Sequence, residues 1–348
     1  MVSCSALSTQ PRYQWCFGTA GYNNEIDYLI DGLLPSKSFG VIYGPSGSFK
    51  SFLVMGLAAH ISTGTDWDER RVRQAGVLYV VAEGGIGAPR RVKAWEKAKN
   101  EGKSLENFFV VNEPIHIANF ASLNMMIETI NHIEHTQKTK IELIIFDTLA
   151  RCFNGADENS TKDMNLFVSG CDILKARTGA TVLVVHHSGK NENNAARGSS
   201  ALRAACDFEY KVTKGVNESD DPNLILSCEK MKDDEPPSKR QFYLESQFVF
   251  QDQNGNAKVS LVVNEKGRPF DGTESSNTST GVTSKLQVAI WDIIRSRISK
   301  GEPTSRSVIR DDFKALGHPS KNFSRALIGL VDKGKVIIDG ENLSCRSE

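Results

Sequence analysis

The sequence predicts an α/β fold in which a mainly parallel sheet carries helices on both faces. Short runs rich in Val, Ile and Leu end at Gly, Asp or polar turn residues, as strands buried on both faces do. Longer amphipathic stretches separate these runs, which is typical of strand–helix–strand units. The predicted strands are 39–44, 76–83, 108–112, 141–147 and 180–187, and the predicted helices are 50–62, 88–101, 121–137 and 161–178.

The pattern changes after His187. Shorter apolar runs follow at 207–214, 223–232, 239–245 and 257–265, with no long amphipathic stretch between them. This spacing is typical of hairpins, so we expect these runs to extend one edge of the sheet.

A break in composition divides the chain into two domains. Residues 267–283 are rich in Gly, Ser and Thr, the composition of a flexible linker. The linker separates a large domain at 1–266 from a small domain at 284–348. In the small domain the apolar spacing predicts three helices and a terminal strand pair, an arrangement that resembles a winged helix-turn-helix.

The charge of the chain is balanced overall but not locally. There are 42 Lys or Arg and 42 Asp or Glu among 348 residues, which excludes a uniformly basic nucleic-acid coat protein. Residues 284–348 carry twelve basic and eight acidic side chains, so the small domain has a net charge of +4. No membrane span or secretory signal is visible, and the seven cysteines form no CxxC pair, so we expect a cytoplasmic protein with no membrane partner.

The segment GPSGSFKS at 44–51 has the context of a phosphate-binding loop, between a predicted strand and a predicted helix. Such a loop needs inward backbone N–H groups, a lysine for the terminal phosphates and a hydroxyl for Mg²⁺, and Lys50 and Ser51 supply the last two. Phe49 stands where the usual pattern has glycine, so its side chain must point away from the phosphates or the loop must be reshaped. The alternative is a Gly/Ser-rich turn with a chance Lys-Ser pair. The expected ATP-binding residues are Gly44, Pro45, Ser46, Gly47, Ser48, Phe49, Lys50, Ser51 and Phe52.

Two carboxylates end predicted strands, at the sheet edge where ligands bind in open α/β folds. Asp147 follows the apolar run IELIIF, and we expect it to hold the water shell of Mg²⁺ beside Ser51. Glu83 ends VLYVVAE, and we expect it to accept a proton from, or orient, the water that attacks the γ-phosphate. The alternatives are a turn-forming or helix-capping aspartate and a solvent-exposed glutamate.

His186 and His187 end another predicted strand. Adjacent strand residues point to opposite faces, and no third ligand is near in sequence, so a metal site is disfavoured. We expect one imidazole to donate a hydrogen bond to the phosphate or to Glu83, and His187 to sense the γ-phosphate.

Four segments make the chain resemble the RecA-fold ATPases of the RepA-type plasmid and phage replicative helicase group. They are DTLAR at 147–151, GADENS at 155–160, VLVVHH at 182–187 and ARGSSALRAACD at 196–207. The resemblance covers roughly residues 20–250 and includes the approach to the phosphate loop at 27–48. It implies a RecA-like P-loop NTPase core that hydrolyses ATP in a ring, commonly a hexamer, whose central loops grip single-stranded DNA.

In such rings a cation from the neighbouring subunit completes the nucleotide site, because transition-state charge accumulates on the γ-phosphate oxygens. Lys230 and Lys232 resemble the paired lysines of RecA-type recombinases, and Arg203 is the alternative as an arginine finger. The sequence spacing does not distinguish the lysine pair from Arg203 as the trans-acting cation. For each of them, an exposed surface cation with no role in the site is an equally good interpretation.

The resemblance assigns two segments, 153–163 and 188–200, to loops facing the ring centre. Lys190 and Arg197 in the second loop suit contacts with phosphates that are independent of sequence. The first loop is acidic and suits the nucleotide side or the water of Mg²⁺ equally well. A flexible surface loop with no ligand is the alternative for both.

In a winged helix-turn-helix the third helix enters the major groove of DNA. Here that helix lies near 320–333 and would expose Lys321, Asn322 and Arg325. The alternative is a protein–protein contact that organises the ring or a partner.

These observations together predict a Mg²⁺- and ATP-dependent DNA motor, a replicative helicase of a plasmid or phage-like element that works with a primase or initiator protein. One alternative is a RecA-like recombination mediator that forms filaments on single strands. The other is an ATP-switched DNA-binding regulator that acts through the small domain.

Overall fold

The computed structural model describes residues 16–82, 85–153, 160–187, 198–215, 221–270, 285–316, 323–332 and 334–345. The chain divides into two compact units, Met1–Phe270 and Asp271–Glu348, and each is described by itself. Within the described residues, no helix has both the length and the apolar character required to cross a membrane.

The first unit contains a small two-stranded sheet and a 10-stranded sheet. Its strands are β1 (Tyr28–Ile30), β2 (Leu34–Pro35), β3 (Phe39–Gly44), β4 (Gly76–Val81), β5 (Phe108–Val111), β6 (Ile141–Asp147), β7 (Thr181–His187), β8 (Phe208–Lys214), β9 (Asn223–Met231), β10 (Arg240–Gln251), β11 (Ala257–Val263) and β12 (Arg268–Pro269). Its helices are α1 (Lys50–Thr63), α2 (Gly87–Lys99), α3 (Phe120–Gln137), α4 (Thr161–Thr178) and α5 (Gly198–Ala205), with a 3₁₀ helix at Leu149–Phe153.

The large sheet has the strand order β11-β10-β9-β8-β3-β7-β6-β4-β5, and β12 pairs with β10 beside this path. Pairing is parallel from β5 through β4, β6, β7 and β3 to β8. From β8 to β11 it is antiparallel. The mostly parallel sheet that the sequence predicts is therefore confirmed, and the later runs extend one edge of it.

Side chains along the central strands alternate between two hydrophobic cores. In β4, Val77, Tyr79 and Val81 pack with α1 in the first core, on one face of the sheet. Leu78 and Val80 pack with α3 and α4 in the second core, on the other face. A strand buried on both faces has no polar side to alternate with, because helices exclude water from each face. This explains why the parallel strands read as continuous apolar runs.

Two helices over the second core begin at side-chain caps. The Asn119 side chain accepts hydrogen bonds from the backbone N–H groups of Ala121 and Ser122 at the start of α3. The Ser160 hydroxyl accepts one from the N–H of Asp163 at the start of α4. These bonds satisfy N–H groups that have no partner inside the helix.

Several predicted boundaries differ from the structure by one or two residues. The strand predicted at 76–83, for example, ends at Val81. The segment 188–200, predicted as a loop, overlaps helix α5, which begins at Gly198. The stretch Gly-Ser-Ser has weak helix propensity, but Leu202 is buried against the second core, and such tertiary packing overrides propensity.

The second unit contains α6 (Lys285–Lys300), α7 (Arg306–Ala315), α8 (Phe323–Asp332) and the strands β13 (Val336–Asp339) and β14 (Asn342–Cys345). The two strands pair in an antiparallel manner. Ile290, Ile294, Phe313, Phe323 and Leu327 are fully buried in one cluster. The unit therefore has a hydrophobic core of its own.

We predict that Gly40→Ala destabilises the first unit. A Cβ at Gly40 in β3 would lie 1.9 Å from the Phe208 ring of the neighbouring strand β8, and that ring is itself fully buried. Overpacking of this kind costs about 2 kcal/mol in the free energy of unfolding, measured by urea denaturation. Gly56→Ala is the matched control, because its Cβ would meet nothing closer than Trp67 at 3.5 Å and alanine favours the helix. Equal stability of the two variants would contradict this account of the β3–β8 contact.

Candidate functional site

The segment predicted to bind phosphate lies between the end of β3 and the start of α1, as a loop over residues 45–49. Gly47 has a positive φ of 76°, a conformation that glycine adopts without steric cost. Helix α1 starts at Lys50, so the positive end of the helix dipole faces the same region. The loop and the first turn of the helix together form an anion-binding geometry.

The Lys50 side chain folds back onto this loop. Its Nζ donates to the carbonyl oxygens of Gly44 at 2.9 Å and Pro45 at 2.8 Å, and lies 3.5 Å from the hydroxyl of Ser48. Only 3% of the residue is exposed. A buried ammonium needs acceptors, and the loop carbonyls supply them; an incoming phosphate offers stronger ones.

Ser51 and Asp147 come together at the carboxyl edge of the sheet. The Ser51 hydroxyl donates to Asp147 Oδ1 at 3.1 Å. The second carboxylate oxygen, Oδ2, accepts a hydrogen bond from the phenol of Tyr79 at 2.6 Å. Burial, together with the nearby charge of Asp147, raises the pKa of the Tyr79 phenol well above its usual value, so Tyr79 stays a donor.

These oxygen atoms suit Mg²⁺. It is commonly held by one or two carboxylates together with substrate phosphates and water rather than by an all-protein cage. The described residues bring together no group of three or more His, Cys, Asp or Glu side chains that could hold a metal.

Strand β7 lies between the phosphate loop and Asp147. In the parallel registers, His187 pairs with Gly44 on one side, and Val185 pairs with Asp147 on the other. The two histidines that end β7 therefore lie beside both halves of the site. Burial lowers the pKa of His186 to about 4, assisted by the neighbouring charges of His187 and Lys50, so His186 is neutral at pH 7.

Phe49, the residue that departs from the usual phosphate loop, has a left-handed backbone with φ 66° and ψ 17°. Glycine is favoured at such a position because a Cβ costs about 1 kcal/mol there. The ring packs at the edge of the first core, 6.2 Å from the Phe52 ring, and Lys214 Nζ lies 6.0 Å from its centroid. These contacts anchor the ring on protein and offset part of the backbone strain.

The three candidate trans-acting cations differ in their positions. Arg203 pairs with the buried carboxylate of Glu209 at 2.8 Å, and its guanidinium lies 5.5 Å from the ring centroid of Tyr43, near the carboxyl end of β3. Lys230 Nζ donates to the carbonyl oxygens of Arg203 and Ala204 at the end of α5. Lys232 lies 3.5 Å from Asp207, and its side chain is 61% exposed. Asp207 accepts a hydrogen bond from the backbone N–H of Phe39 at the beginning of β3, so Lys232 lies toward the amino edge of the sheet.

Several sequence predictions fall outside the described residues. These are Glu83 as the residue that activates water, Lys190 and Arg197 in the second loop, and Lys321, Asn322 and the side chain of Arg325 in the small domain.

Tyr79 is the site residue that sequence reasoning missed. It lies inside the apolar run VLYVV, where an aromatic residue is an ordinary core residue. The sequence feature that could have indicated its role is a hydroxyl group in an otherwise aliphatic strand, because a buried hydroxyl needs a hydrogen-bond partner.

The part of the chain that contains this site is similar to a known protein family. Residues 18–193, more than half of the chain, match a family model described as an AAA domain. The matched region runs from before β1 to beyond the end of β7, and it contains the phosphate loop, Tyr79, Asp147 and both histidines.

We predict that Phe49→Gly is more stable than Phe49→Ala by about 1 kcal/mol. Both variants lose the ring contacts, but only glycine relieves the left-handed strain at φ 66°. The free energy of unfolding of both variants, from urea denaturation, gives the comparison. An alanine variant as stable as the glycine variant would show that the backbone at 49 is not strained.

We also predict that His186 makes the fold sensitive to acid. Its pKa is lowered from 6.5 to about 4 in the fold, so the stability it contributes is full above pH 6.5 and is lost as the pH falls from 6.5 toward 4. Between pH 7.5 and pH 5 the wild type should lose about 2 kcal/mol more than His186→Gln, measured by urea unfolding at each pH. Parallel pH dependence of the two proteins would contradict a depressed pKa at this residue.

Proposed function

The chain belongs to this AAA domain family of P-loop ATPases, and we propose that it is a Mg²⁺- and ATP-dependent DNA motor, a ring-forming replicative helicase of a plasmid or phage-like element. The observation that carries the proposal is the meeting of Lys50, Ser51 and Asp147 at one edge of the sheet. A lysine on the phosphate loop, a hydroxyl and a carboxylate are the groups that phosphoryl transfer requires.

Within this proposal each residue has a defined task. The loop N–H groups and Lys50 bind and orient the β- and γ-phosphates. Ser51 and Asp147 hold Mg²⁺, which, when bound, neutralises charge that develops on the phosphate oxygens. His187 on β7 pairs with Gly44, the residue that precedes the loop. We assign it the sensing of the γ-phosphate, through a contact that would form only when this phosphate is bound.

Water activation is assigned to Glu83, which follows β4 by two residues. β4 pairs in parallel with β6, so the chain leaves β4 at the same edge as Asp147. A carboxylate there is well placed to take a proton from the attacking water.

Among the candidate trans-acting cations, Lys232 is favoured. Arg203 and Lys230 both make close contacts within their own chain, whereas the Lys232 side chain is the more exposed and contacts Asp207 only at 3.5 Å. Recruiting Lys232 for a neighbour's nucleotide would therefore break the weakest intramolecular interaction of the three.

DNA is assigned to the segment between β7 and α5, which carries Lys190 and Arg197. β7 ends at His187, so few residues separate the proposed nucleotide sensor from the proposed DNA contact. The small domain, in which the described residues form three helices and one hairpin and the sequence has a net charge of +4, would act as a winged helix that docks on duplex DNA.

A second candidate function is supported by the second unit, which has its own hydrophobic core. A separately folded basic module suits an ATP-switched DNA-binding regulator. Such a regulator would protect one duplex sequence, and its ATPase rate would be indifferent to single-stranded DNA.

We predict that single-stranded DNA stimulates ATP hydrolysis by the wild type. We also predict that Lys50→Ala lowers the ATPase rate by at least about 100-fold, because the substitution removes a cation from the phosphates. Strand displacement on a forked duplex should disappear with it. Lys97→Ala is the control, because Lys97 bonds the Val249 carbonyl on the hairpin and has no part in the site.

Particle imaging in Mg²⁺ with a non-hydrolysable ATP analogue completes the test. Rings support the helicase, and open filaments on single strands would indicate a recombination mediator instead. Absence of both rings and stimulation by single-stranded DNA would overturn the motor proposal.

A further inference from the structure

The Asp147 carboxylate is held at both of its oxygens. Ser51 donates to Oδ1 at 3.1 Å and Tyr79 donates to Oδ2 at 2.6 Å. Asp147 is only 6% exposed, so water is poorly placed to replace either donor. The two donors belong to different elements: Ser51 lies on the helix after the phosphate loop, and Tyr79 lies on the neighbouring strand.

The position of the Tyr79 hydroxyl is set by the fold. In the parallel register of β4 and β6, Val81 pairs with Asp147, and Tyr79 lies two residues earlier on the same face of β4. The Tyr79 ring is 1% exposed and stacks on Phe108 of β5, with centroids 5.9 Å apart and planes at 22°. Because the ring is packed, its hydroxyl cannot follow the carboxylate if the carboxylate turns.

We propose that Tyr79 is a positioning residue for Mg²⁺: by fixing Oδ2 of Asp147, it keeps Oδ1 directed at Ser51 and at the metal. This inference rests on the proposed ATPase function and adds to it a residue that contacts neither nucleotide nor metal. The juxtaposition that carries it is one carboxylate whose two oxygens accept separate hydrogen bonds, one from the Ser51 hydroxyl at the start of α1 and one from a fully buried phenol.

Without the phenol, the Asp147 carboxylate would be held at one oxygen only. A buried carboxylate that loses a charge-assisted hydrogen bond must either leave one oxygen unsatisfied or rotate to share its remaining donor. Rotation would turn Oδ1 away from Ser51, and an oxygen without a donor no longer fixes the orientation of the group. Both responses weaken a Mg²⁺ ligand, whereas neither changes the phosphate contacts of Lys50 and the loop.

A purely structural role for Tyr79 makes a different prediction. In that case loss of the hydroxyl would lower stability and weaken nucleotide binding equally with and without Mg²⁺. The discriminating quantity is therefore the Mg²⁺ dependence of nucleotide binding, not activity.

The test uses Tyr79→Phe in the full chain, which keeps the ring and its stacking on Phe108. Equilibrium binding of a fluorescent ATP analogue is measured across a Mg²⁺ titration and again in EDTA. We expect the half-saturating Mg²⁺ concentration to rise about tenfold, corresponding to about 1.4 kcal/mol. The affinity for the analogue in EDTA should stay within about twofold of the wild type, because the phosphate loop is unchanged.

Tyr210→Phe is the matched control. Tyr210 is 2% exposed, and its hydroxyl donates to the Leu33 carbonyl at 2.7 Å, away from the site. Urea unfolding of both variants establishes that each is folded at the assay temperature and measures the stability lost with each hydroxyl. The control should lose stability and keep the Mg²⁺ dependence of the wild type.

The outcomes separate the two proposals. An unchanged Mg²⁺ half-saturation in Tyr79→Phe, or an equal loss of nucleotide affinity with and without Mg²⁺, overturns the role of Tyr79 while the ATPase proposal stands. A shift of the same size in Tyr210→Phe also overturns it, since the effect would then follow from stability alone. A wild type that binds the analogue without any Mg²⁺ dependence overturns both.

Discussion

The parallel pairing of β3, β7 and β6 is the constraint on which the site depends. Parallel strands all end at the same edge of a sheet, so the phosphate loop, His187 and Asp147 meet although they are far apart in sequence. The Ser51–Asp147 hydrogen bond of 3.1 Å spans from α1 to β6 across the end of β7. A different strand order would separate the hydroxyl from the carboxylate and remove the metal-binding geometry.

Both charged groups of the site are buried, and burial of a charge is tolerated only when hydrogen bonds replace water. Lys50, 3% exposed, is satisfied by loop carbonyls, and Asp147, 6% exposed, by two hydroxyls. These neutral partners hold both groups in place. In the proposed function, a magnesium–nucleotide complex would bring its cation to Asp147 and its phosphates to Lys50 and so complement both charges.

Two side chains that the sequence indicated as candidate trans-acting cations, Arg203 and Lys230, hold helix α5 to the sheet. Arg203 on α5 pairs with Glu209 on β8, whose carboxyl pKa is raised by burial and lowered in part by this arginine. Lys230 on β9 donates to the last carbonyls of α5, where a cation also complements the helix dipole. Helix α5 is thus anchored to β8 and β9 by these two side chains.

The sequence by itself determined the strand–helix order, the phosphate loop and the carboxylate at the end of β6, because apolar runs, glycine and charge are local properties of the chain. It could not determine what each side chain contacts. Tyr79 looks like a core residue in its strand, yet the register of β4 with β6 brings its hydroxyl to Asp147. Likewise Arg203 looks like a free cation until β8 presents Glu209 to it. Strand order and register decide such partners, because they bring together residues that are separated along the chain. Tyr79 and Asp147 are 68 positions apart, and Arg203 and Glu209 are 6 positions apart.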